Sequence, residues 1–308
     1  MSSDVAPPKT AFVLAGGGSF GAIQVGMLRS LASRGIVADM VVGSSVGALN
    51  GAYYAGDPTI EGVRRLETIW RGLRRRDVFP LRLRTTVGFL YRRDFLVTSD
   101  ALRRLVERNL AYRNLEEAKI PVHIVTTDVL TGGCVVLSAG PAAQAIIASA
   151  AIPAAFAPVR FNNLYLADGA VSSNTPVKVA VARGARRLIV LPTGYACALD
   201  KPPVGAVASA LHALTLLITR QLVAELEALD DSIDFFVVPP LCPLVGSPYD
   251  FSHTSELIEW AAKSTDAWFA AGGFERPGVL TQLSIHRHMR QTNEPARDIL
   301  SGAANNSP

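Results

Sequence analysis

Residues 10–56 read TAFVLAGGGSFGAIQVGMLRSLASRGIVADMVVGSSVGALNGAYYAG, and this stretch decides the fold. Thr10 to Ala15 is a short apolar run broken by Gly16, Gly17 and Gly18. From Ala22 to Leu31 the apolar residues Ile23, Met27, Leu28 and Leu31 fall at helical spacing, and Gly35 stands where a stop is expected. Met40 to Val42 reads as a second buried strand ended by Gly43. A helix through Ala48, Leu49 and Tyr53 then runs toward Gly56. Strand, glycine turn and helix thus occur twice in succession, which is how a parallel sheet begins.

The pattern resumes further on. Strands are predicted at 120–127 and 133–138, followed by a helix near 141–150. A proline-punctuated segment from Ile152 to Pro158, a hairpin-like pair around Asn162-Asn163 and a tight turn at Asp168-Gly169 come next. Arg187–Leu191 and Asp234–Val238 are further buried-strand candidates. The expectation is a three-layer α/β/α sandwich with a mainly parallel central sheet, in a single domain over residues 8–292. Residues 59–113 read as a mostly helical, arginine-rich, cap-like insertion interrupted near Pro80, and 293–308 as a disordered tail.

Of the 308 residues 49% are hydrophobic and 18% charged, enough for a sizeable core and unlike a disordered or fibrous chain. The net charge of +4 is uneven. Between Arg64 and Arg93 ten arginines face only Glu67 and Asp77, so that stretch carries +8 and the remainder −4. Such a field suits an anionic surface, membrane or nucleic acid, and also reads as a solvated helical face. Cys134, Cys197 and Cys242 are far apart and odd in number, implying neither a disulfide framework nor a zinc site, and fitting a reducing compartment. The first ten residues lack the core of a signal peptide. From Pro202 to Thr219 no residue is charged, but prolines open the run and its pattern continues amphipathically through Leu222, Leu226 and Leu229. A buried or interfacial helix is expected there rather than a membrane span.

Two loops carry chemistry. Gly16-Gly17-Gly18-Ser19-Phe20-Gly21 matches GxGxxG between a strand and a helix, and Asp39 lies about where a dinucleotide's ribose would be bound. Asp39, however, precedes the second strand instead of ending it. Alternatively the glycines present backbone N–H donors, which suit a phosphate or an oxyanion. Gly43-Ser44-Ser45-Val46-Gly47 is GxSxG between strand and helix, the setting of a nucleophile elbow, with the Val46 N–H as an oxyanion donor. Ser44 is off-register for the motif. A serine needs a base. His123, His212, His253, His286 and His288 stand in no glycine-rich or turn context, whereas Asp168 lies on a tight Asp-Gly turn.

Taken together, the glycine loop, the elbow, the segment Ala148-Ser149-Ala150-Ala151-Ile152-Pro153-Ala154-Ala155-Phe156-Ala157-Pro158 and Asp168-Gly169-Ala170 resemble the patatin-like phospholipases. Thr126-Thr127-Asp128 with Thr131-Gly132 is similar to that family's central strand and turn, and the likeness covers roughly residues 10–195. The resemblance implies a Ser45–Asp168 dyad without histidine, an oxyanion hole from Gly16, Gly17, Gly18 and Val46, cleavage of fatty-acyl esters through an acyl-enzyme, and no cofactor or metal. Phe20 stands where the family commonly carries Arg or Lys, which leaves head-group preference open; Ala170 replaces a frequent glycine. Asp128 reads as a structural turn residue. The implied partner is a lipid, with an anionic membrane contacted through residues 64–93 and no nucleic acid; the implied setting is cytoplasmic, with peripheral membrane contact. A non-catalytic lipid-binding protein of the same fold and a dinucleotide-binding oxidoreductase stand as the alternatives.

Overall fold

The computed structural model describes residues 9–79, 97–194, 201–242, 244, 246–280 and 283. Among these residues eight strands form one mixed sheet: β1 (Thr10–Leu14), β2 (Met40–Ser44), β3 (Val122–Asp128), β4 (Cys134–Leu137), β5 (Val159–Phe161), β6 (Leu164–Asp168), β7 (Arg187–Leu191) and β8 (Asp234–Val237). The helices are α1 (Gly21–Ser33), α2 (Val46–Gly56), α3 (Ile60–Gly72), α4 (Arg75–Val78), α5 (Asp100–Asn109), α6 (Ala142–Ser149), α7 (Ala170–Ser173), α8 (Val177–Ala182), α9 (Ala206–Glu227) and α10 (Thr254–Ala270). Strand order is β5-β6-β3-β2-β1-β7-β8, with β4 also on β3. The run from β3 through β2, β1 and β7 to β8 is parallel, while β4, β5 and β6 are antiparallel. The expected α/β fold is present, its antiparallel strands gathered at the β3 end.

One detail of this topology places the site. A strand has two hydrogen-bonding edges. On one, β4 pairs with β3 from Ile124 to Thr127. The other is shared end to end, by β2 over Val122–Val125 and by β6 over Thr126–Asp128. Ser44 therefore lies opposite Val125, and Asp168 lies opposite Thr126 on the very next residue. Two segments more than a hundred residues apart meet head-on because a third strand gives them adjacent positions.

Both faces of the sheet are covered. Phe12, Leu14 and Val41 pack with α1, α2, α3, α6 and α10 on one side. Ala11, Val13 and Val42 pack with Val177 and Ala180 of α8 and Leu222 and Leu226 of α9 on the other. Apolar residues on both sides of each parallel strand explain their continuous apolar runs. In the arginine-rich stretch, Thr59 caps α3 by accepting a hydrogen bond from the Gly62 N–H. Val63, Leu66 and Trp70 of α3 enter the core, so this helix is part of the layer over α1 and α2. Arg82, Arg84, Arg92, Arg93 and Pro80 lie outside the described residues, as does the tail 293–308.

A buried polar chain fixes the glycine loop to this layer. The Trp70 Nε1–H donates to Asn50 Oδ1 at 2.8 Å, and Asn50 Nδ2 donates to the Gly21 carbonyl and to Gln24 Oε1. Gln24 Nε2 in turn donates to the carbonyls of Ala15 and Leu191, tying the ends of β1 and β7. Every member is satisfied only while Asn50 is present. Asn50→Ala is expected to cost about 3 kcal/mol, because it strands Trp70 Nε1 and one Gln24 oxygen in the core. Urea unfolding checks this; a change below about 1 kcal/mol would mean that water replaces the amide.

Candidate active site

Ser45 has φ 53° and ψ −123°, a conformation that a residue with a side chain adopts only under constraint. The constraint comes from both flanks. An added Cβ on Gly43 would lie 2.4 Å from the Gly47 carbonyl oxygen, and one on Gly47 would lie 2.2 Å from that of Leu14. Glycine at these positions lets α2 start directly against β1 and β2, which pushes the serine side chain out over the strand ends. Ser149 at the end of α6 holds the elbow from below. Its Oγ accepts the Ser45 N–H at 2.8 Å and donates to the Val125 carbonyl at 2.5 Å.

The Ser45 hydroxyl donates to Asp168 Oδ2 at 2.7 Å. The other carboxylate oxygen, Oδ1, accepts the Ala170 N–H at 2.8 Å, so the carboxylate cannot rotate away. Asp168 is buried, and burial pushes its carboxyl up to about 6, against the opposing hydrogen bonds from Ser45 and Ala170. A carboxyl in that range takes and returns protons near neutrality. The Asp168 carbonyl is held by the Thr127 hydroxyl at 2.8 Å. Gly169 is tight as well: an added Cβ would meet the Val125 carbonyl oxygen at 2.2 Å and Ser44 Oγ at 2.7 Å.

The glycine loop stands over this pair. An added Cβ on Gly16 would sit 3.1 Å from the Ser45 Cβ. Gly18, at φ +59°, would meet the Pro248 carbonyl oxygen at 2.3 Å. The N–H groups of Gly17, Gly18 and Val46 meet no acceptor among the described residues, and that of Val46 opens α2, where no intrahelical partner exists. Gly16 differs from the expectation. Its N–H donates to the Asn174 carbonyl at 3.0 Å and its carbonyl accepts the Thr193 hydroxyl at 2.5 Å. Gly16 therefore brings the loop close to the serine instead of supplying a donor.

The remaining residues singled out in the sequence lie elsewhere. His123 bonds to Ser138 through Nδ1 at 2.7 Å, and burial, with Arg183 and Lys9, pushes it down to about 4. His253 occupies the N-cap position of α10 without a side-chain cap bond, and His212 sits on α9. His286 and His288 are outside the described residues. Asp39 Oδ2 accepts the Thr10 N–H at 2.7 Å, at the end of β1 away from the glycine loop, so the ribose role is lost. Asp128 holds its turn by accepting the Leu130 N–H and the Thr131 hydroxyl. The hydroxyl of Ser44 is buried without a partner among the described residues. Cys134 is a free, exposed thiol, whereas Cys242 is disulfide-bonded. That bond corrects the reading of the cysteine spacing, which cannot register what distant loops bring together, and it removes the argument for a reducing compartment. Cys197 lies outside the described residues. Asn174, Thr193 and Pro248 anchor the loop through backbone atoms or a single hydroxyl, and no motif marks them; Ser149 lies within the segment 148–158, where nothing local to the sequence signals its role.

A serine in a constrained strand-to-helix turn, hydrogen-bonded to a buried carboxylate on an α/β sheet, points to the lipid acyl hydrolases. The chain belongs to the patatin-like phospholipase family, whose model matches residues 12–181. It is 27% identical over 186 residues to patatin-like phospholipase domain-containing protein 7 of Rattus norvegicus, covering 60% of this chain and 13% of that protein. It is likewise 27% identical over 192 residues to lysophospholipase NTE1 of Scheffersomyces stipitis, covering 60% of this chain and 12% of that protein. The chain thus spans about an eighth of the length of these relatives. Among solved structures, human GIVD cytosolic phospholipase A2, bound to methyl gamma-linolenyl fluorophosphonate and terbium chloride, shares the fold. The TM-score is 0.50 at 15% identity, over 90% of this chain and 59% of that one.

Proposed function

We propose that the chain is a serine acyl hydrolase that cleaves fatty-acyl esters of phospholipids or related lipids through a Ser45–Asp168 dyad. The 2.7 Å hydrogen bond from a serine in a constrained elbow to a buried carboxylate carries this reading. Asp168 takes the Ser45 proton as Oγ adds to the ester carbonyl. The N–H groups of Gly17, Gly18 and Val46 receive the oxyanion; one such donor is typically worth about 10²–10³ in rate. Collapse of the adduct expels the alcohol, which takes the proton from Asp168 and leaves acyl-Ser45. Water then gives a proton to Asp168 and attacks the acyl group, and the second collapse returns the proton to Ser45 as the fatty acid leaves. No step calls on a metal or a histidine. Phe20 adds no charge beside the loop, which suits recognition of the ester by its acyl chain more than by its phosphate.

The membrane part of the reading rests on fewer cations than the sequence suggests. Arg64 pairs with Glu61, Arg65 with Asp57, and Arg71 with Glu67 and Glu259. Among the described arginines of this stretch, Arg74, Arg75 and Arg76 form no ion pair with a described residue and are available to meet anionic lipid. No helix among the described residues is long and apolar enough to cross a membrane.

Labelling with a fluorophosphonate probe tests the nucleophile. Probe is expected on Ser45 in the parent protein and on nothing in Ser45→Ala, with His253→Ala labelling like the parent. Labelling that survives Ser45→Ala, or collapses in His253→Ala with the fold intact, would reject the dyad.

A further inference from the structure

Soluble proteins seldom gather large apolar side chains on an open surface without a use for them. Here several such residues gather at one place. Leu130 is 78% exposed, Leu217 66%, Val171 61% and Leu214 50%, and Tyr165 is half exposed beside them. Hydrogen bonds join these positions. The Val129 N–H donates to the Tyr165 carbonyl at 2.8 Å, which sets Leu130 next to the β5–β6 hairpin. Val171 follows Ala170, whose N–H holds Asp168. Gln221 Nε2 reaches the Ser172 carbonyl at 3.3 Å. Leu214, Leu217 and Gln221 fall at i, i+3 and i+7, so the face of α9 that touches α7 also carries the two leucines.

The charge of this rim is one-sided. Within 128–133, 159–173 and 204–225 the carboxylates are Asp128, Asp168 and Glu225, and all three are buried and accept hydrogen bonds. The cations are exposed. Arg160 lies directly across from Tyr165, and Arg220 is one turn from Leu217 on α9. Neither forms an ion pair with a described residue. The first half of α9, expected to be buried or interfacial, is uncharged; Ser209, Ala210, Ala213, Leu214 and Thr215 are exposed, and among the described residues of the helix burial begins only near Thr219 and Leu222. An apolar, carboxylate-free surface flanked by guanidinium groups matches a phospholipid surface, whose acyl layer lies beneath a layer of phosphates.

We propose that the rim formed by Leu130, Tyr165, Val171, Leu214 and Leu217, flanked by Arg160 and Arg220, docks this chain onto a phospholipid bilayer with Ser45 facing the lipid. The apolar side chains enter the acyl boundary and the two arginines meet the phosphates. A lipid leaving the bilayer then reaches the serine without crossing water. This docking rests on the acyl-hydrolase reading for its purpose and not for its physics, so the two are tested apart.

Binding is measured by sedimentation with vesicles of phosphatidylcholine and phosphatidylglycerol, using the 308-residue chain with Ser45→Ala so that no lipid is consumed. The triple change Leu130→Ser, Val171→Ser and Leu217→Ser, all at exposed positions, is expected to weaken binding at least about tenfold. Changing Arg74, Arg75 and Arg76 together to Ser is expected to do less. Much of the parent's binding is expected to persist at about 1 M NaCl, because apolar insertion is not screened. Unchanged binding in the triple variant, absence of binding by the parent, or binding that vanishes entirely in salt would each overturn the docking surface. Probe labelling of Ser45, read separately, reports on the hydrolase reading: label without vesicle binding sinks the docking alone, and vesicle binding without label sinks the hydrolase alone.

Discussion

Asp168→Asn is expected to abolish turnover and, at about pH 8, to leave the protein more stable than the parent. The geometry accepts the amide. Asparagine Oδ1 can take the Ala170 N–H now accepted by the carboxylate, and its Nδ2 can donate to Ser45 Oγ. What is lost is the proton acceptor, and with it roughly 10⁴ in kcat, the scale on which serine hydrolases lose rate when the dyad or triad acid is neutralised. Burial raises the folded carboxyl to about 6 from 3.8, so the folded state holds its proton more tightly than the unfolded chain does. Stability is therefore undiminished below the unfolded value, declines as the pH rises between the two, and carries the full penalty above about 6. That penalty is up to about 3 kcal/mol. The amide does not bear it, so the variant's advantage should be present at about pH 8 and gone at about pH 4. Equal urea midpoints for the two proteins at both pH values would show that Asp168 is not strained by burial. The same titration should appear in the parent as an acid limb in kcat/KM centred near 6, since only ionised Asp168 accepts the serine proton.

Gly47→Ala is expected to unfold much of the protein. The added methyl would lie 2.2 Å from the Leu14 carbonyl oxygen and 2.6 Å from that of Ala15, both backbone atoms at the end of a central strand. No side chain can swing aside to make room. Either α2 lifts off β1 or the strand end bends, and both disturb the elbow and the glycine loop together. A loss of at least about 3 kcal/mol follows, above the usual range for a single methyl group. Gly72→Ala is the control. Nothing lies within 4 Å of its added methyl, at the end of α3, and it is expected to change stability by less than about 1 kcal/mol. Comparable urea midpoints for the two variants would mean that α2 does not pack on β1 as closely as described.

Much of this architecture is legible in the sequence. β1, β2, β7 and β8 are apolar on both faces because helices cover both, and that pattern is local. Glycine and serine at the elbow are local as well, since a strand that turns into a helix within one residue excludes side chains on either flank. Asp168 could be named because a short strand and an Asp-Gly turn mark it, alongside the family resemblance of its surroundings.

Tertiary structure decided the rest. That Asp168 touches Ser45 depends on β2 and β6 sharing one edge of β3, a pairing between segments separated by 123 positions that no short pattern encodes. Gly16 looks like its two neighbours in sequence, yet the Asn174 carbonyl, delivered by a distant turn, consumes its N–H. The arginine count suggested a broad basic field, but Glu61, Asp57, Glu67 and Glu259 neutralise several of its members, and one of those carboxylates comes from α10 at the far end of the chain. The uncharged run before Arg220 showed that a helix would form and could not show which of its faces would be left open. Sequence alone determined where the chain turns and which residues are chemically able to act, because backbone sterics and side-chain chemistry act over a few residues. Only the fold determined which of those residues meet and which are already engaged, because strand pairing and burial are set between parts of the chain that do not know each other's order.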